Sequence, residues 1–457
     1  MDRTQKLGKD SVGKLLFNFS LPAIVGMLVG ALYNIVDRIF VGNGVGTLGI
    51  TGITVCFPIM VIFMAFGMLV AIGGVSLFSI KMGEKRRDQA ETILGNSFLL
   101  TILILFTLAF TFRILHVPIL KLFGASREAL PYASDYLRII LIGVPIQGIS
   151  MGMNNFIRAE GRPAIAMGTQ LIGALLNIAL DPLFIFVLDM GVSGAALATV
   201  LAQSVSAMWV LHYFFMGRSL TKIHRQSMKI DVSLVKQIFA IGMAPFAMQI
   251  AASAIVTIFN RSLLVYGGNT AISAFGIIHS ITMLLLMPII GISQGVQPII
   301  GYNYGARNTD RVKRALLLAV SAATFIVTAG FILTRIFPVE IISLFNKKDD
   351  ELIRIGTQGI RVFLLLLPLV GFQITCSNYF QAVGKGKKSL FLSMSRQVLV
   401  LIPALLILPR FFGLEGIWMA SPVSDFTSTL VTGLFIFYEM RHLSQDMPAV
   451  HADMDPV

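Results

Sequence analysis

An all-α, polytopic membrane protein built from two similar halves is what this sequence predicts, and three observations predict it. Of its 457 residues, 56% are hydrophobic and 13% charged, for a mean hydropathy of +0.82. A soluble domain is not so apolar from end to end. Uncharged runs of about 20 residues, enough to cross a bilayer as helix, recur along the whole chain. The second half also repeats the first in the order of its short motifs.

Twelve spans are read, at about 15–42, 51–80, 92–114, 131–157, 163–188, 191–216, 235–265, 272–302, 315–335, 355–383, 389–409 and 414–439. The chain opens on Asp2, Arg3, Lys6, Lys9, Asp10 and Lys14 and runs directly into a full-length first span, so no cleavable signal peptide is expected. Pro22, on that first span, is the expected hinge because it shares a helix with Asp37. Cys56 and Cys376 both fall within spans and read as small packing residues.

The loops alternate in charge. The N-terminal segment, KMGEKRR (81–87), RAEGR (158–162), 217–236, GARNTDRVKR (305–314), GKGKK (384–388) and Arg441 hold 23 basic residues. The opposite side holds eight, and its loops at 43–50 and 267–270 hold none. The positive-inside rule places both termini in the cytoplasm of a multi-pass plasma (inner) membrane protein. The net charge of +13 is thereby used for orientation, and no nucleic-acid partner is expected.

Shifting the chain by 222 or 223 positions lays SLPAIVGMLVGALYNIVDR (20–38) over MAPFAMQIAASAIVTIFNR (243–261). The same shift pairs NNFIRAEGRPA (154–164) with SNYFQAVGKGK (377–387), and GVSGAALA (191–198) with GLEGIWMA (413–420). Six spans is an even number, so the two lobes are related by a pseudo-two-fold axis along the membrane normal. The expected division is an N-lobe at 1–216, a linker on the cytoplasmic surface at 217–236, a C-lobe at 237–445 and a tail at 446–457.

Of 23 acids, Asp37, Asp181 and Asp425 lie well inside spans. An acid at the centre of a membrane helix costs about 2.5–3.5 kcal/mol on insertion scales and usually marks function. Asn177 and Asp181 are one turn apart on span 5 and share a face. Pro182 follows, so the Ile178 carbonyl loses its helical donor and is left to face a cation. The bland reading is an acid that caps a kink or pairs with a base. Counting from the outer turns puts Asp37, Asp181 and Thr199 each about 13 Å deep, so two carboxylates, an amide and a hydroxyl could converge in one lobe. Arg38, beside Asp37, is a structural rival for that charge, but neighbours on a helix point about 100° apart.

YNIVDRIFVG on span 1, NxxxDP on span 5 and AEGRP before it, ordered across twelve spans, resemble the MATE family (multidrug and toxic compound extrusion). The likeness covers essentially the whole chain and is strongest to prokaryotic branches with the ion site in the N-terminal lobe. It implies that Asp37, Asn177, Asp181 and Thr199 hold the coupling proton or sodium ion. The C-lobe departs from other branches: Asn260 stands opposite Asp37, and spans 7, 8 and 10 carry no acid. Asp425, with Ser421 one turn earlier, reads as a counter-charge for cationic substrates or as a capped structural acid. His279 and Asn260 are further cavity candidates; a lone His is as often a packing residue.

The function implied is secondary active antiport, exporting hydrophobic, often cationic, drugs or toxins in exchange for H+ or Na+ by rocking of two lobes. The alternative is a lipid-linked oligosaccharide flippase of the related superfamily, which should show extra spans and cavity cations. An enzyme is not expected, since no nucleophile–base pair, metal cluster or Walker motif is present in the sequence. No cofactor beyond the coupling ion is expected. The partners are small lipophilic or cationic compounds and membrane lipid, and the expected state is a monomer.

Overall fold

The computed structural model describes residues 5–45, 47–217, 219–224, 226–345 and 349–443. Among them the chain is helical throughout and has no strand. A short helix, Gln5–Lys9, precedes span 1 (Val12–Val45) and span 2 (Thr47–Gly83). Spans 3 and 4 are Arg87–Ile114 and Leu130–Ala159, with the short helix His116–Leu122 between them. Span 5 is Pro163–Pro182 and continues as the π-helical turn Leu183–Val187; span 6 is Gly191–Phe215. Pro182 has no N–H to give, and beyond it the Leu188 N–H reaches back five residues to the Leu183 carbonyl at 2.9 Å.

Spans 7 and 8 form one run, Val232–Gly305, broken at Gly268. There φ is +66°, a left-handed conformation that glycine adopts without strain. Span 9 is Thr309–Ile336, and the short helix Pro338–Ser343 follows it. Spans 11 and 12 occupy Gly386–His442, with a π stretch at Ser395–Leu401 and a second break at Gly413, where φ is +57°. The chain is therefore a multi-pass membrane protein of twelve spans in two six-helix lobes.

Two expected spans need correction. Span 9 begins at Thr309 rather than near 315, because Asn308 caps it by accepting from the Arg311 N–H at 3.3 Å. Its polar first turn is helical but escapes a hydropathy reading. Span 10 is not one straight helix: Asp350–Phe363 and Leu367–Ala382 meet at 49°, just before Pro368.

The segment joining the lobes is tied to the N-lobe at two buried side chains. Glu160, in the AEGRP motif, accepts from Tyr213 Oη at 2.6 Å, Ser219 Oγ at 2.7 Å and the Thr221 N–H at 2.9 Å. Asn96 donates to the Lys229 carbonyl and accepts from the Asp231 N–H, each at 2.9 Å. The C-lobe has a counterpart in Glu439, fully buried at the end of span 12, which takes Lys385 from just before span 11 and Lys388 from its first turn. The tail expected at 446–457 lies outside the described residues.

The lobes meet on the face that carries the termini. Gln297 donates to Ser76 at 2.8 Å, and Arg158 donates to Gln294 at 2.8 Å. The Leu7 carbonyl accepts from Asn303 and Arg311, each at 2.9 Å, which pins the N-terminal helix to the C-lobe. Backbone lies against backbone at this seam: a Cβ on Gly83 would strike the Tyr302 carbonyl, and one on Gly242 the Leu69 carbonyl.

Candidate functional site

Spans 1 and 5 approach closely at two glycines of span 1. Gly26 takes the Gln170 side chain, and Gly44 takes Ile185 and Phe186. Phe40 and Phe186 meet edge to face with centroids 6.1 Å apart, one turn beyond the two acids. Beneath this apolar contact, the carboxyls of Asp37 and Asp181 lie within hydrogen-bonding reach of each other. Asp37 is half-buried and Asp181 fully buried.

Asn177 orders the rest of the group. Its Nδ2 donates to Asp181 Oδ1 at 3.2 Å and, more weakly, to Thr199 Oγ1 at 3.4 Å. Thr199 donates to its own helix at the Ala195 carbonyl, 3.0 Å away. That bond turns the hydroxyl lone pairs toward span 5. Asp181 Oδ2 and Asn177 Oδ1 are buried and meet no donor among the described residues. A cluster of acceptor oxygens with unmet lone pairs in an apolar setting is suited to a proton or a hard cation. Tyr136, buried on span 4, brings a phenol within electrostatic reach of both acids. Sequence reasoning missed it, since a tyrosine in a span gives no signal of its own.

The four residues expected at this site are thus on three neighbouring helices of one lobe, and the contacts above join them. The Arg38 side chain, the proposed rival, lies outside the described residues. Pro22 is half-buried inside an unbroken helix, Val12–Val45.

The C-lobe differs from expectation. Asp425 does not lack a basic partner: Arg396 Nε on span 11 donates to its Oδ1 at 2.8 Å. Ser421 Oγ is 3.5 Å from the other carboxylate oxygen, a marginal contact. Of the two readings of Asp425, this pair fits the structural acid rather than a counter-charge left free for substrate. It was missed because the basic residues were counted in loops, and Arg396 is inside a span. Asn260 is exposed. His279 is half-buried with its ring 5.7 Å from Phe275, which itself stacks on Phe259 at 4.6 Å.

Comparison with known proteins agrees with the fold. A multidrug export protein MepA of Staphylococcus haemolyticus is 29% identical over 439 residues, 95% of each chain. Among solved structures, the MATE multidrug transporter DinF-BH superposes with a TM-score of 0.89 at 39% identity, over 96% of this chain and 98% of that one. A MATE family transporter of the MOP superfamily in an outward-facing conformation gives 0.91 at 26% identity, over 97% of this chain and 99% of that one. The MatE family model matches residues 22–183 and 236–406, one segment in each lobe. The paired six-helix lobes and both matched segments place the chain in one family: it belongs to the MatE family.

Proposed function

We propose that this chain is a secondary active antiporter that exports hydrophobic, often cationic, compounds in exchange for protons or sodium ions. The multidrug exporters it resembles support the export reading, and the Asp37–Asp181 pair carries the coupling. Two carboxyls this close in an apolar setting cannot both remain ionised without a proton or cation between them. Asn177 and Thr199 supply neutral oxygens to a sodium ion at the same place, and Asn177 holds Asp181 in position for either ion.

Asp37 and Asp181 stand on different helices, so the occupancy of the pair acts on helix position. With the ion bound, spans 1 and 5 are drawn together at the acids. With the ion gone, two buried negative charges repel and span 1 moves, bending at Pro22. A lipophilic cation and the coupling ion then compete, at one set of charges or through opposite lobe arrangements. The lobe contacts on the terminal face favour an arrangement open on the other face. We place the termini in the cytoplasm, as the loop charges require, so that open face is the external one.

The test is transport in proteoliposomes with pH and sodium gradients imposed separately. Coupled export is expected in the wild type and lost in Asp37→Asn and in Asp181→Asn. Wild-type rates in either variant would remove the pair from the mechanism.

A further inference from the structure

The lobes carry matching arginines on the face opposite the termini, and they treat them differently. In the N-lobe, Arg138 on span 4 donates from Nε to His116 Nε2 at 3.1 Å. His116 is itself held through Nδ1 at the Arg113 carbonyl, 2.9 Å away. An imidazole that donates from Nδ1 has Nε2 free to accept, so the ring satisfies the guanidinium without a charge.

The repeat shift of 222 or 223 positions lays Arg113 on Arg335 and Arg138 on Arg361. His116 falls on Pro338 or Val339, neither of which has a side-chain acceptor. Asp135 falls on Gln358, and Pro131 on Arg354. At these positions the C-lobe has no imidazole, a glutamine in place of the acid and an arginine in place of Pro131, while Arg127 falls on Asp349 or Asp350.

A charged hollow results. Arg354, Thr357, Gln358 and Arg361 line a cavity of about 450 Å³ between the helix Asp350–Phe363 and Val339. Positions 354, 358 and 361 share one helical face, opposite the buried Ile355, Gly359 and Ile360. Arg335 lies near enough to Arg361 for their charges to act on each other, with its guanidinium 5.0 Å over the Phe331 ring. Its Nη2 and the Thr357 hydroxyl are buried and meet no partner among the described residues. Among the described residues, the acids found in ion pairs are Glu84, Glu91, Glu439 and Asp425, and none of these pairs involves the three arginines. Asp350 stands in the lining, and Glu415 accepts from Gln358.

The level of the cavity narrows the ligand. Glu415 comes two residues after the turn at Gly413, so its contact with Gln358 places the cavity level with the turns on that face. Lipid headgroups occupy this zone. Ile336, Phe337 and Leu365 are exposed nearby, an apolar surface suited to acyl chains rather than to water.

We propose that this cavity binds the phosphate of a phospholipid in the leaflet opposite the termini. The forked guanidiniums of Arg354 and Arg361 take phosphate oxygens, and Thr357 supplies a further donor. Bound lipid would brace the helix Asp350–Phe363, the half of span 10 that lies beyond its bend.

The test is native mass spectrometry of the full chain in detergent with dioleoylphosphatidylglycerol added. The wild type is expected to retain one tightly held lipid that Arg354→Gln/Arg361→Gln retains about five-fold less. Arg354→Lys/Arg361→Lys, which keeps the charge but not the fork, should retain lipid to an extent between the two, which separates loss of charge from loss of fold. Arg138→Gln in the N-lobe should change nothing. Equal retention by the glutamine double variant would overturn the site. A melting temperature raised by sodium phosphate in the wild type but not in that variant would assign the cavity to a soluble anion and overturn the lipid reading.

Discussion

The two lobes share a scaffold and differ in what fills its centre. In the N-lobe, Asp37 and Asp181 meet across spans 1 and 5, and Tyr136 of span 4 is within electrostatic reach of both. The corresponding C-lobe positions hold Asn260, Ala404 and Gly359. Trp418 and Ile278 fill the room that a side chain at Gly359 would need. Phe259 and Phe275 stack alongside, with Phe363 edge-on to both. One lobe has kept titratable groups in an apolar setting, and the other has replaced them with packed rings. Asp425, a buried acid inside a C-lobe span, is paired with Arg396 within the same lobe. On the proposed coupling, one half is free to pack rigidly while the other holds the group that would respond to an ion.

The largest effect should come from the acid pair. Asp37→Asn/Asp181→Asn should lower ion-driven efflux at least about a hundred-fold, the scale of losing an essential proton carrier. Asn260→Asp in that background should restore nothing, because Ala404 supplies no second acid. Recovery of efflux in proteoliposomes would show that the lobes are interchangeable.

Next comes the ion pair of the C-lobe. Arg396→Met leaves Asp425 buried without its cation and should cost about 3 kcal/mol of stability. Arg396→Met/Asp425→Leu should recover most of it and leave transport of neutral compounds intact. Thermal unfolding in detergent checks the first, and efflux the second. A double variant as unstable as the single one would mean that the pair does more than neutralise itself.

A smaller contrast concerns the two carboxylates on the terminal face. Glu160→Gln keeps shape but weakens several charge-assisted hydrogen bonds, at about 1–2 kcal/mol. The loss should speed proteolysis within 217–236, since Ser219 and Thr221 hold that segment to Glu160. Glu439→Gln should leave that cleavage unchanged. Equal cleavage in both would mean that the linker follows global stability. The smallest effect is expected from His116→Ala, which frees the exposed Arg138 for water and should cost under about 1 kcal/mol in thermal unfolding.

Much of this was legible in the sequence, for reasons particular to membranes. Twelve apolar runs and the 222–223 residue repeat are one-dimensional signals, and the spans followed them to within a few residues. Asp37 and Asp181 stood out because an acid inside a span is costly wherever it points. What escaped depends on contacts between helices. Tyr136 is an ordinary interfacial-looking aromatic until span 4 brings it to the acids. Arg396 is 29 positions before Asp425, a separation that sequence spacing does not interpret. The bend in span 10 is signalled by Pro368 inside the apolar run Phe363 to Leu369, but hydropathy alone carries that run through as one span.

The glycine-to-carbonyl seam on the terminal face has a mechanical consequence. Gly73, Gly83, Gly242 and Gly305 each approach the opposing backbone too closely to admit even one methyl group. A hydrogen atom at these points therefore works as the clearance of a latch. Alanine there would not remove an attraction; it would act as a wedge, pushing the lobes apart on one face while leaving the acids of spans 1 and 5 untouched. The balance between the two openings of such a transporter can then be set by the smallest side chains in the protein, away from the acids of spans 1 and 5.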